Sequence, residues 1–113
     1  MTIQALATLL SARVLCEGDG RPVTCGCVCD LLSWVMARGQ SGAAWVTVQT
    51  HMNVVAVASL HDMACVVLPE NMVMEGEPLR KAREEGIAVL SSPLSGYAVC
   101  ARMAASGISA ADS

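Results

Sequence analysis

Three cysteines at alternate positions, Cys25, Cys27 and Cys29, are the first candidates for chemistry in this sequence. If they lie on a β-strand, its two-residue period places all three sulfurs on one face. Thiolates arranged in this way could hold a metal ion or respond to oxidants. A structural zinc site needs four ligands, so Cys65 or His51 would have to complete the set. The alternative is that small, apolar thiols fill a packed face, and the unusual one-residue spacing favours this alternative.

The polar segment Gln49–Asn53 is the second candidate. It follows the strand-like stretch Trp45–Val48 and precedes the apolar stretch Val54–Leu60, which we interpret as a buried helix. Ligands of open α/β sheets bind outside the carboxyl ends of the strands, and the N-terminus of a helix attracts anions. We therefore predict a site for a small anionic or nucleotide-like ligand at this turn. The alternative is that the polar side chains only cap the helix, with His51 on the surface or at a subunit contact.

Two serines close another predicted strand at the same edge of the sheet, although a role in capping the following helix also explains them. The predicted ligand-binding residues are Gln49, Thr50, His51, Asn53, Ser91 and Ser92. The pair His61–Asp62 could be an acid–base pair, but a solvated helix end is the simpler interpretation.

Catalytic signatures are missing from the sequence. It contains no G-x-x-x-x-G-K-[ST] phosphate loop, no G-x-G-x-x-G dinucleotide motif and no G-x-S-x-G nucleophile elbow. It also offers no nucleophile with a base and an orienting group. We therefore predict a protein that is not an enzyme and that carries no cofactor and no bound metal.

Helices and strands alternate through most of the chain, which predicts an α/β fold with a mainly parallel sheet sandwiched by helices. We expect a single domain over residues 1–108 and a frayed tail over residues 109–113. The predicted helices are Thr2–Ser11 capped by Thr2, Leu31–Arg38 capped by Asp30, Val54–Leu60 capped by Asn53, Pro78–Glu85 closed by Gly86, and a last helix from Pro93 capped by Ser92. The predicted strands are Arg13–Glu17 and Val23–Cys29, as a hairpin or a split pair, followed by Trp45–Val48, Cys65–Leu68 and Ile87–Leu90.

Composition narrows the classes of partner. The net charge of −3 argues against nucleic acid, because non-specific binding needs clustered cations. No apolar stretch approaches the length that spans a bilayer, and the N-terminus lacks the basic region of a signal peptide, so we expect a cytoplasmic protein with reduced thiols. The chain is 54% hydrophobic, which leaves too little polar surface to cover a monomer. We therefore predict a homodimer.

The stretch Gly20–Ser33 resembles the signature region of the DRTGG domain family. The stretches Val46–Ala58, Ala64–Leu68 and Glu85–Ser92 are similar to the rest of that domain, so the resemblance covers roughly residues 3–105. Residues of the signature region that match the naming motif, or lie beside it, are Arg21, Thr24, Gly26 and Asp30. The sequence departs from the motif at Gly20, where the family has Asp, and at Cys25, where the family has its first Gly.

This resemblance implies a fold like that of the N-terminal domain of HPr kinase/phosphorylase. It implies no kinase activity, because the catalytic P-loop domain of those enzymes has no counterpart in this sequence. Members of the family also occur beside CBS domains in regulated pyrophosphatases, where they look like regulatory or assembly modules. The resemblance thus implies a regulatory role.

The dimer is testable in solution. We expect static light scattering at micromolar concentration to give twice the chain mass of 11.7 kDa, because pairing would cover apolar surface that a monomer exposes. A mass of one chain would contradict this prediction.

Overall fold

The computed structural model describes residues 1–111. The helices in this range are α1 (Ile3–Leu9), α2 (Leu32–Arg38), α3 (Met52–Leu60), α4 (Gly76–Glu85) and α5 (Gly96–Ala105). The strands are β1 (Arg13–Cys16), β2 (Cys25–Val28), β3 (Ala43–Val46), β4 (Cys65–Leu68) and β5 (Ala88–Ser91).

The five strands form one sheet in the order β1-β5-β4-β3-β2. Strands β2 to β5 are mutually parallel, and β1 pairs with β5 in the antiparallel direction. This confirms the predicted α/β fold with a mainly parallel sheet. The predicted hairpin of the first two strands does not form, because β1 and β2 lie on opposite edges with three strands between them.

Helices cover both faces of the sheet. Helices α1 and α5 pack on one face through residues such as Leu6 and Val99, and α2, α3 and α4 pack on the other through Val35, Val55 and Ala82. The inner strands β3, β4 and β5 are buried at every position, as parallel strands covered on both faces must be. Their carboxyl ends therefore meet at one edge of a rigid three-layer core.

The cap predicted for helix α3 is wrong. The helix begins at Met52, and the residue in the N-cap position is His51 rather than Asn53. The Nδ1 atom of His51 accepts a hydrogen bond of 3.1 Å from the backbone N–H of Asn53. The helix can begin earlier than predicted because an imidazole nitrogen satisfies an orphan donor of the first turn, as the side chain of a more usual capping residue would.

The caps predicted for α2 and α5 are also wrong. Leu31 precedes α2 and makes no side-chain capping bond, because Asp30 is used elsewhere. Ser95, not Ser92, caps α5 by accepting from the N–H of Ala98. In contrast, the predicted cap at Thr2 is confirmed by its bond from Ala5 N–H, and Gly86 closes α4 in the left-handed conformation.

The end of the chain differs from the expected frayed tail. The N–H of Gly26 donates to the carbonyl of Ser109 at 2.9 Å, and the N–H of Ala111 donates to the carbonyl of Gly26 at 2.8 Å. Residues 109–111 therefore lie beside β2 in the parallel direction. The rest of the predicted tail, Asp112 and Ser113, lies outside the described residues.

Two glycines provide a matched test of packing beside β2. Gly20 and Gly42 both have positive φ, +89° and +78°. A Cβ atom on Gly20 would meet nothing within 4 Å, whereas one on Gly42 would overlap the hydroxyl of Thr24. We expect Gly20→Ala to lower the free energy of unfolding by about 1–2 kcal/mol, the cost of the backbone conformation alone.

The Gly42→Ala variant should lose roughly 1–3 kcal/mol more than Gly20→Ala, because the Thr24 side chain must move. Urea unfolding of both variants measures the difference. Equal losses would show that Thr24 does not pack against Gly42 as the structure describes.

Candidate functional site

Asp30 joins the carboxyl ends of β2 and β3. Its Oδ1 atom accepts a hydrogen bond of 2.7 Å from the hydroxyl of Thr47 and one of 2.9 Å from the backbone N–H of Val48. Thr47 is buried at the end of β3, so its hydroxyl needs a partner inside the protein. We name Asp30 together with the segment Thr47–Asn53 the carboxyl rim.

Gln49 completes this network. Its backbone N–H donates to the Thr47 hydroxyl at 3.1 Å, and its side-chain Nε2 donates to the carbonyl of Asp30 at 3.1 Å. One layer below, the indole Nε1 of the fully buried Trp45 donates to the carbonyl of Cys29 at 2.8 Å. These bonds hold the two loops after β2 and β3 in a single arrangement, which is the condition for a preorganised site.

Backbone donors remain available where the rim meets helix α3. The N–H groups of Thr50, His51 and Met52 have no acceptor among residues 1–111, whereas those of Asn53 and Val54 are taken by His51. Because the Nδ1 atom of His51 accepts, the ring proton is on Nε2, and that donor also has no acceptor within the described chain. The rim therefore presents several unpaired donors at the positive end of a nine-residue helix.

The other two predicted ligand residues are engaged elsewhere. The hydroxyl of Ser91 donates to the carbonyl of Met72 at 2.6 Å, and the hydroxyl of Ser92 donates to the carbonyl of Leu10 at 2.7 Å. Both serines are buried. Ser91 ends β5 and Ser92 follows it, two strands and about 10 Å away from β3. The structure therefore brings Gln49, Thr50, His51 and Asn53 together and leaves the serines apart from them.

The motif residues Arg21 and Thr24 lie at the opposite edge of the sheet, beside the amino ends of the parallel strands. The guanidinium of Arg21 contacts the carboxylates of Asp19 at 3.1 Å and Asp62 at 3.8 Å, and it donates to the carbonyl of Met63 at 3.4 Å. These contacts connect the loop before β2 to the turn between α3 and β4. The motif therefore has a structural explanation that needs no ligand.

Close packing explains Gly26, the third residue of the motif. A Cβ atom there would lie 2.9 Å from the terminal methyl of Met103, and the backbone of Gly26 also pairs with residues 109–111. Of the four residues in the signature region, only Asp30 lies at the carboxyl rim.

The three alternating cysteines face the layer formed by α2, α3 and α4, as the strand period predicts. Cys25 is buried, with its thiol 3.9 Å from the carbonyl of Ser41, and the thiol of Cys29 is 3.7 Å from the carbonyl of Leu31. Within the part of the chain that the structure describes, no three His, Cys, Asp or Glu side chains are placed to hold a metal ion. The geometry therefore favours packing over a metal site.

Cys65 could not complete such a site either. It is fully buried and faces the layer of α1 and α5. Burial, and secondarily the nearby Cys27, raises the pKa of the Cys65 thiol to about 12. Because the thiolate is the metal ligand and the nucleophile, Cys65 stays an unreactive thiol at neutral pH.

The pair His61–Asp62 is divided between two partners. The Nε2 atom of His61 lies 2.8 Å from the carbonyl of Met36, and the carboxylate of Asp62 faces Arg21. This arrangement agrees with the interpretation as a helix end rather than an acid–base pair.

Four cavities of about 180 to 340 Å³ lie elsewhere on the described surface, and none is lined by residues 49–53. One of these cavities, of about 310 Å³, lies between β2 and α2 and is lined partly by Trp34 and Arg38. No sequence motif marks this cavity, and the only signal for it is the four-residue spacing of Trp34 and Arg38 on one helix face.

Comparison with solved structures finds the same architecture in another protein. The chain is similar to the crystal structure of the CBS and DRTGG domains of the regulatory region of Clostridium perfringens pyrophosphatase, complexed with its activator diadenosine tetraphosphate. The TM-score is 0.71 and the sequence identity is 10%, over 90% of this chain and 45% of that chain. The fold is CBS/DRTGG-like. At this identity the likeness establishes the fold alone.

No protein-family model and no curated protein matches the sequence. Membership of the DRTGG family therefore stays a prediction from the sequence. The chain also spans less than half the length of the regulatory region that it resembles. Among residues 1–111, no helix has both the length and the apolar character needed to cross a bilayer.

The role of Asp30 can be tested by two substitutions. We expect Asp30→Ala to lower the free energy of unfolding by about 1–3 kcal/mol, because Thr47 and Val48 lose their acceptor. Asp30→Asn keeps an acceptor oxygen at the same position and should lose clearly less. Urea unfolding of both variants makes the comparison, and an Ala variant as stable as the Asn variant would refute the Asp30 bridge.

Proposed function

We propose that this chain is a non-catalytic regulatory or assembly module, cytoplasmic and dimeric, that binds a small anionic or nucleotide-like ligand at the carboxyl rim. The observation that carries the proposal is the run of three unpaired N–H groups at Thr50, His51 and Met52. Successive backbone donors at the N-terminus of a helix form a favourable environment for a phosphate or carboxylate group.

The bonds made by Asp30 support the same assignment. They orient the segment from Thr47 onward before any ligand arrives, so binding would cost little conformational entropy. The second carboxylate oxygen of Asp30 has no hydrogen bond within residues 1–111. A carboxylate beside an anion site accepts hydrogen bonds from ligand hydroxyl groups, as acidic residues do from the ribose in dinucleotide-binding folds. A phosphorylated sugar or nucleotide has both groups.

The regulatory part of the proposal rests on the fold and on the chemistry of the rim. The fold is like that of a regulatory region, and the described rim contains donors and one carboxylate but no nucleophile paired with a base. A site that binds without reacting suits a sensor, in which ligand binding changes the stability or assembly of the protein.

One backbone donor can be removed almost without disturbing the helix. Met52 is the first residue of α3, a position where proline is favoured. The preceding residue, His51, has φ −75° and ψ 155°, an extended conformation that is compatible with a following proline. We expect Met52→Pro to reduce the thermal stabilisation that adenosine diphosphate gives the wild type, because it deletes an N–H from the anion site. Met52→Ala is the matched control and should keep the stabilisation.

The measurement is the change in melting temperature of each variant with and without ligand. At roughly 100 times the dissociation constant, binding adds about 2.7 kcal/mol to the free energy of unfolding. His51→Ala should also weaken binding, since the ring donates from Nε2. If neither adenosine diphosphate nor a broad set of phosphorylated metabolites stabilises the wild type, or if Met52→Pro responds like Met52→Ala, binding at the rim is wrong.

A further inference from the structure

The cavity between β2 and α2 has features of a binding site that are separate from the carboxyl rim. Its volume of about 310 Å³ falls at the lower end of the range for small-molecule sites. The residues that form its walls include Cys27, Val28, Cys29, Trp34, Arg38 and Ala111. Most of this surface is apolar, with a small number of polar groups at defined positions.

Trp34 and Arg38 form one wall. They are separated by one turn of α2, and the guanidinium carbon of Arg38 lies 4.5 Å from the centre of the Trp34 ring. Trp34 is 53% exposed, whereas Trp45 is fully buried in the core. An exposed indole contributes little to folding, and the stacked cation beside it already has restricted freedom. The pair therefore presents an aromatic surface and a positive charge with defined relative positions.

The edge of β2 forms a second wall, where some backbone groups have no partner among residues 1–111. Gly26 uses its N–H and carbonyl to pair outward with residues 109–111, and Val28, two residues further on, points the same way. No hydrogen bond to the outward N–H or carbonyl of Val28 exists among the described residues. Val28 is 60% exposed. The cavity thus offers one donor and one acceptor side by side on a strand.

The charge of the lining decides the sign of the ligand. Arg38 is the cavity's ionised side chain, and no Asp or Glu of the described chain lines it. An anion would be attracted to a guanidinium that no described carboxylate neutralises, in a partly apolar setting.

We propose that this cavity binds a small heteroaromatic anion. The ring packs against Trp34, a neighbouring donor and acceptor on the ring bond the backbone of Val28, and the anionic group pairs with Arg38. This inference is independent of the proposed function, because none of the predicted ligand residues of the rim lines the cavity.

The test compares three probes that carry the ring, the anionic group or both. Adenosine 5′-monophosphate carries both ring and anion, adenosine carries the ring alone, and ribose 5-phosphate carries the anion alone. Titration calorimetry on the full chain carrying Met52→Pro, in which the rim lacks a donor, should give the highest affinity for the monophosphate. Binding should quench the fluorescence of the exposed Trp34. The Trp34→Leu variant keeps a good helix former on an exposed face and should abolish binding at this cavity.

Variants then separate this cavity from the rim. Arg38→Gln should lower the affinity for the monophosphate roughly tenfold, because a charge-assisted hydrogen bond is lost, and should leave the affinity for adenosine unchanged. Arg83→Gln, which removes an exposed charge from α4, is the matched control and should change neither affinity. Met52→Pro weakens any contribution of the rim, and binding to the cavity should persist in that variant.

Three results would overturn the inference. The first is binding of ribose 5-phosphate as tight as that of the monophosphate, and the second is unchanged binding in Trp34→Leu. The third is absence of binding by all three probes at millimolar concentration. If Trp34→Leu instead halves the mass of a dimer, the cavity belongs to a subunit contact and the small-ligand assignment is wrong.

Discussion

The rest of the carboxyl rim depends on two hydrogen bonds to Asp30, one from the hydroxyl of Thr47 and one from the backbone N–H of Val48. This bridge fixes the loop after β2 to the loop after β3 and satisfies a buried hydroxyl that would otherwise be costly. With this bridge in place, Gln49 finds both of its partners, and the chain enters α3 with His51 as its cap. The unpaired amides beside α3 have their positions because of a carboxylate in the loop that follows a different strand.

The two edges of the parallel sheet have different roles. At the amino ends, Arg21 connects Asp19, Asp62 and Met63, and Gly42 packs against Thr24, so polar groups there are used to hold loops together. At the carboxyl ends, several donors of the rim lack partners within residues 1–111. Parallel strands supported by helices on both faces allow this division, because the core does not need these unpaired donors for its stability.

Much of the fold follows from sequence patterns with local causes. Thr2 and Gly86 act where predicted because a cap needs only the first turn of its own helix or a left-handed residue at its end. Strand β3 covers Ala43–Val46, two residues earlier than the predicted Trp45–Val48. Ala43 and Ala44 have a weak preference for strands, and they adopt this conformation because they are buried between β2 and β4.

The site was less predictable, because its bonds join residues far apart in the chain. Asp30 has the side chain of a helix cap, and only the proximity of Thr47 in the folded sheet reveals its other use. Ser92 likewise follows a strand but bonds Leu10 across the core. The pairing of residues 109–111 with Gly26 left no local signal at all. The order of predicted strand and helix was enough to locate the turn Gln49–Asn53. Which of its polar groups stay without a hydrogen-bond partner depends on the tertiary structure.

Amide chemical shifts measured by NMR during titration with adenosine diphosphate test the central claim most directly. The account predicts the largest shift changes at the amides of Thr50, His51 and Met52, with smaller changes at Val48 transmitted through Asp30. Changes centred on the amino edge, around Arg21 and Gly42, would contradict it, as would the absence of any change at the rim at saturating ligand.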